Sequence, residues 1–154
     1  MPKAVAFAVA IAVSSAACSS APPPPPFKPV ADTKLLMQSV IDPTADEIWD
    51  SVRTIITAEG TEEIRPHTNE EWTAVRNHAV ALAESGNLLM MVPRAKDGDE
   101  WMQRAREMID SSEKAVRAAE AKNADDLFNA GGDIYAACSN CHQKYMDAIV
   151  NANK

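Results

Sequence analysis

The sequence predicts an all-α fold, an antiparallel four-helix bundle, and three observations carry that expectation. Apolar residues recur at three- and four-residue steps over most of the chain beyond residue 31. Helix-capping residues stand at the starts of several of these stretches. Composition favours helix over strand: Ala, Glu, Met and Leu are frequent, aromatics make up 5% of the chain, and glycines number 5. A short connection between the third and fourth stretches makes them antiparallel neighbours. No internal repeat is evident.

The first 17 residues read as an address. Lys3 is followed by an apolar run from Ala4 to Val13 and then Ser14-Ser15-Ala16-Ala17, the pattern of a secretory signal. Cys18 comes next. Small residues before a Cys resemble a bacterial lipoprotein cleavage site, which would make Cys18 the lipidated first residue. Ordinary cleavage after Ala16 or Ala17, leaving Cys18 unmodified, is the other reading. Residues 18–31 form a Pro-rich linker in which Pro22 to Pro26 are consecutive. Such a run is an extended rod of about 3.1 Å per residue, suited to holding a domain off a surface. Both readings place the bundle, residues 32–154, in the periplasm or on a membrane as a lipoprotein. Past the signal no apolar run is long enough to span a bilayer. The formal net charge of −7 repels nucleic acid phosphates and suits a basic partner or simple solubility.

Helix one is expected from Asp32 or Thr33 to about Ile41. Asp42-Pro43 interrupts it, because Pro43 has no N–H and disfavours helix at the residue before it. A second piece, capped by Asp42 with Pro43 in its first turn, continues through Ile48 and Trp49 to about Val52. Residues 53–67 are irregular. The β-branched run Thr54-Ile55-Ile56-Thr57 and the turn at Gly60 allow a short hairpin or an excursion over the bundle. Helix two opens on the capping box Thr68-Asn69-Glu70-Glu71. It buries Trp72, Val75, Ala79, Leu82 and Ala83, with Gly86 a candidate stop and Pro93 a certain one. Helix three starts between Asp97 and Asp99 and buries Trp101, Met102, Ala105, Met108, Ile109, Ala115 and Ala119. Asn123 caps helix four, Asp125 and Asp126 fall in its first turn, and it runs to about Ala148.

Chemistry concentrates near the end of helix four. Cys138-Ser139-Asn140-Cys141-His142 is Cys-x-x-Cys-His, the spacing that attaches a c-type haem. Two thiols can add across the two haem vinyl groups, and the following imidazole is placed to ligate the iron. Export strengthens the reading, since thioether attachment takes place outside the cytoplasm in bacteria. A thioredoxin-like pair needs a βαβ setting. A zinc site needs further Cys or His ligands. A disulfide between consecutive turns of one helix would constrain little. Leu127, Gly131, Ile134, Cys138, Cys141 and Tyr145 recur at helical spacing, as the wall of a haem site would. Gly131-Gly132 in mid-helix costs about 1 kcal/mol per residue against Ala, so close approach of the macrocycle or of another helix is expected there.

A four-helix bundle with this motif near its C-terminus resembles the class II c-type cytochromes, cytochrome c′ and its low-spin relatives such as cytochrome c-556. The resemblance spans about residues 32–148. It rests on Cys138, Cys141 and His142, on Tyr145 three residues later, on a methionine in helix one, and on the segments Asn87–Met91 and Ala130–Tyr135. Met146 stands where cytochrome c′ usually carries a basic residue. The hairpin-like segment is also foreign to the minimal family pattern. The resemblance implies one covalent haem c, contacted by Tyr145, and an antiparallel homodimer.

The group facing His142 across the iron decides the function. In an up-down-up-down bundle the end of helix four lies beside the start of helix one, the end of helix two and the start of helix three. Met37, Met90, Met91 and Trp101 therefore belong at the haem end. His67 belongs at the other end, and His78 is mid-helix. Met146 lies on the wrong side of the haem. In the low-spin relatives the distal Met comes from near the start of helix one, where Met37 stands. Leu35 and Leu36 flank it, so a shift of register would put Leu there and leave the iron five-coordinate. A Met on an apolar helix face is otherwise a core residue. The leading expectation is one-electron transfer between redox partner proteins through a His142/Met37 haem. The alternative is a cytochrome c′ that binds nitric oxide or carbon monoxide. No catalytic base or nucleophile is evident, so an enzyme is not expected.

Overall fold

The computed structural model describes residues 27–152, with side chains as far as Met146. The signal segment, Cys18 and Pro22–Pro26 lie outside the described residues. Helix one comprises α1 (Thr33–Leu36), a π-helical stretch (Met37–Ile41) and α2 (Asp42–Ser51). Asp32 Oδ1 caps its start by accepting the Leu35 N–H at 2.7 Å. The expected interruption at Asp42-Pro43 is corrected here. Asp42 is helical, with φ −59° and ψ −53°, and its N–H donates to the Met37 carbonyl five residues back instead of capping a new helix. Pro43 lacks an N–H, and its ring would crowd the carbonyl four residues before it. Widening the preceding turn into a π-helix relieves that clash without ending the helix.

Strands β1 (Arg53–Thr57) and β2 (Gly60–Ile64) follow. They pair antiparallel, from Arg53 opposite Ile64 to Thr57 opposite Gly60. Gly60 closes the two-residue turn at φ +152°, a conformation that side chains disfavour. The all-α expectation is thus amended by one small hairpin, in the segment whose β-branched run left that open.

Helix α3 (Asn69–Met90) begins with the complete capping box. Thr68 Oγ1 accepts the Glu71 N–H at 3.1 Å, and Glu71 Oε2 accepts the Thr68 N–H at 2.9 Å. Gly86 does not stop this helix. A Cβ there would collide with Ile109 Cγ1 and stand 3.1 Å from the Ala105 carbonyl, so the glycine lets α3 approach α4 (Glu100–Glu120) closely. Lys122 turns the chain at φ +53°. Asn123 Oδ1 then accepts the N–H groups of Asp125 and Asp126 at 3.1 Å each, capping α5. Helix α5 (Ala124–Ala152) runs four residues past the expected Ala148.

The helices form a bundle. Helix α3 packs on α4, α4 on α5, and α2 on both α3 and α5. Cross-links between ends show the antiparallel order. Trp101 at the start of α4 donates its indole N–H to Leu89 O at the end of α3, at 2.8 Å. Lys122 after α4 reaches Asn69 at the start of α3. Lys144 near the end of α5 reaches Glu100. Ile48 of α2, Leu82 of α3, and Leu127 and Ile134 of α5 are fully buried. Among the described residues no helix is long and apolar enough to cross a membrane.

Candidate functional site

A cavity of about 470 Å³ opens at the end of the bundle where α1 begins and α5 approaches its close. Helix one contributes Met37, Ile41, Asp42, Ala45 and Trp49 to its lining. Leu89 comes from α3, and Trp101, Arg104, Ala105 and Met108 come from α4. Helix α5 supplies Tyr135, Ala137, Cys138, Ser139, Cys141, His142 and Gln143. Its volume falls within the ~300–1,000 Å³ typical of cofactor sites, and most of its walls are apolar.

Five residues that the sequence placed at this end therefore share one cavity: Met37, Trp101, Cys138, Cys141 and His142. The i, i+3 spacing of the cysteines puts both thiols on one face of α5. Both are half-buried and free. Burial pushes the Cys138 thiol up to about 11, helped by the nearby Cys141 and Asp42. Burial also raises Cys141, with Arg104 pulling the other way. Thiols held neutral by an apolar wall are unlike the low-pKa thiolate of a dithiol redox motif. Among the described residues no group of three or more His, Cys, Asp or Glu side chains gathers where a metal ion could sit between them. The ligand set of a zinc site is thus not assembled around the cysteines.

No protein-family model matches this chain, and no match was found among curated proteins or among solved structures. The chemistry of the cavity has to speak for itself. Its donors include two thiols, one imidazole and the thioethers of Met37 and Met108, beside the Asp42 carboxylate, in walls that are mostly apolar. That is the donor chemistry of covalently attached haem. The residues present fit such a group.

The helix-one register is now plain. Leu35 is 51% exposed, Leu36 is buried in the core at 3%, and Met37 faces the cavity. Leu89 lines the cavity from α3, whereas Met90 packs against the core. His67 is exposed before α3, far in sequence from the cavity walls, and His78 is half-buried in mid-helix.

Tyr145 stands outside the lining. Its hydroxyl donates to Asp97 Oδ2 at 2.5 Å, and its ring meets Trp101 edge-on at 4.8 Å. Burial and the Asp97 carboxylate raise its phenol well above the ordinary value. Met146 is half exposed, and the neighbouring cation, Lys144, is engaged with Glu100.

Trp49, Leu89, Arg104, Met108 and Tyr135 were not singled out as cavity residues by sequence reasoning. One signal for Trp49 existed in Gly131. A Cβ at Gly131 would stand 3.2 Å from Trp49 Cδ1, and Trp49 donates its indole N–H to Gly131 O at 2.9 Å. The glycine is therefore explained by another helix, the second of the two expected causes. Gly132 faces open space, and nothing in the structure explains it.

Proposed function

We propose that this chain is a c-type cytochrome that carries one haem c and transfers single electrons between partner proteins outside the cytoplasm. The observation that carries the reading is the convergence of Met37 on the same apolar cavity as Cys138, Cys141 and His142. A helix-one residue more than one hundred positions from the motif has no local reason to be there.

Cys138 and Cys141 would hold the group through thioethers, and His142 would ligate the iron from α5. Bound haem supplies a one-electron ferric/ferrous couple. Met37 would provide a thioether on the other side, which favours the reduced state and raises the potential. Its place at the head of the π-helical stretch supports this role, since such stretches are frequent at functional sites. Ile41, Ala45, Leu89 and Ala105 would keep water from the iron. The acidic surface suits basic redox proteins and disfavours nucleic acid. Periplasmic export, a lipid on Cys18 and the homodimer implied by the family resemblance belong to the same proposal.

The test is the visible spectrum of protein matured in a host able to attach c-type haem. Low-spin spectra in both oxidation states, with the ferric–thioether band lost in Met37→Ala and kept in Met108→Leu, are expected. Loss in Met108→Leu alone would transfer the ligand role to α4. A high-spin, five-coordinate spectrum in the parent protein would overturn electron transfer in favour of gas binding. Absence of covalent haem would overturn both.

A further inference from the structure

Three parts of the molecule meet beside the turn of α5 that carries His142. Asp97, in the loop before α4, accepts two hydrogen bonds. Its Oδ1 takes the Trp101 backbone N–H at 2.8 Å, and its Oδ2 takes the Tyr145 hydroxyl at 2.5 Å. Trp101 lines the cavity, is 3% exposed, and donates its indole N–H to Leu89 O, the backbone of another lining residue. The Tyr145 ring stands edge-on to Trp101 at 4.8 Å, a favoured aromatic geometry. Tyr145 lies three residues after His142, one helical turn along the same face of α5.

We propose that Asp97 and Tyr145 form a latch that positions His142, with Tyr145 acting as a positioning residue that does not touch the cofactor. The proposal rests on the reading of His142 as an iron ligand. Without the latch, this end of α5 loses its hydrogen bond to the α3–α4 connection, and the Lys144–Glu100 pair is left as an exposed ion pair of little strength. With it, Asp97, Trp101 and Leu89 tie the imidazole-bearing turn to two walls of the cavity it faces. A ligand held by groups that are themselves fixed keeps one orientation, the condition under which a site retains a defined geometry.

The test uses full-length protein carrying covalent haem, read by ferric electron paramagnetic resonance and by reduction potential. The g-values of a ferric haem respond to the orientation of its axial ligands. The parent protein should give one set. Tyr145→Phe, which keeps the ring and removes the hydroxyl, should give more than one set and a shifted, broadened potential. Asp97→Ala, which removes the Trp101 N–H bond as well, should show at least that result, and the double variant should be no worse than Asp97→Ala alone, because the Asp97–Tyr145 bond is already absent there. Asp97→Asn, whose Oδ1 can still accept the Trp101 N–H and whose amide N–H can donate to the Tyr145 oxygen, should restore the single set. Should Asp97→Ala fail to fold, Tyr145→Phe against the parent decides alone. Covalent haem with parent-like g-values and potential in Tyr145→Phe would overturn the latch and leave the haem reading intact. Failure of the parent to take up haem would overturn that reading first.

Discussion

The two ends of the bundle are built differently. At the hairpin end, β1 and β2 pair only with each other, and nearly every residue in them is exposed, Ile56 at 78%. At the cavity end, long-range hydrogen bonds join distant segments. Arg94 is 5% exposed, and its guanidinium donates to Ala31 O and Leu88 O at 3.0 Å each. Trp101 and Tyr145 add their bonds to Leu89 and Asp97. An isolated two-stranded hairpin buries too little to be stable alone. A cavity, conversely, removes packing atoms from the middle of a bundle end, and its walls need other ties. The difference suggests that order at this end is maintained by directed bonds where packing is missing.

Mutations can break or sharpen that contrast. The largest loss is expected at Ile134, fully buried one turn before the motif. Ile134→Ala should lower the unfolding free energy by about 2–5 kcal/mol, measured by urea denaturation. Arg94→Met comes next. It keeps an apolar stem and removes two part-buried hydrogen bonds from a charged donor, each a loss of at most about 1.5–3 kcal/mol. A loss near zero would mean that the ties at the cavity end contribute little.

A smaller, pH-specific effect is expected at the latch. The Tyr145 hydroxyl, more than the Trp101 backbone N–H, holds the Asp97 carboxyl below the usual aspartate value. A depressed carboxyl contributes stability above its unfolded-state pKa and loses it as pH falls through the folded value. Tyr145→Phe should therefore lower stability at neutral pH, where Asp97 is ionised, and leave it closer to the parent value at acid pH, which flattens this part of the acid limb. Parallel urea midpoints at neutral and acid pH check this; an unchanged acid slope would contradict it. The smallest effect is expected in the hairpin, where Ile56→Thr should change stability by no more than about 0.5 kcal/mol. A loss approaching that of Ile134→Ala would erase the contrast between the two ends.

Much of the fold was legible because its signals are local. Thr68 with Glu71, and Asn123 with Asp125 and Asp126, satisfy helix-end N–H groups from within four positions, so their sequence spacing is the geometry. Pro43 was misleading for the same reason. Its local chemistry argues for a break, but the packing of α2 against α3 and α5 keeps the helix continuous and absorbs the clash in a π turn. Gly86 is ambiguous alone, because a stop and a close contact use the same residue. Only the approach of Ile109 decides between them.

By itself, the sequence determined the helical character of most of the chain, the starts of α3 and α5, and the placing of two thiols and an imidazole along one helix face. Each depends on bonds or spacings within a few residues. Tertiary structure alone decided that Met37 rather than Leu36 faces the cavity, that Leu89 lines it in place of Met90, and that Arg104 and Met108 share it. Neighbouring residues on a helix differ by about 100° in direction. Which of them meets a cavity is set by how the whole helix is rotated against its partners, and that rotation is fixed by contacts far away in sequence.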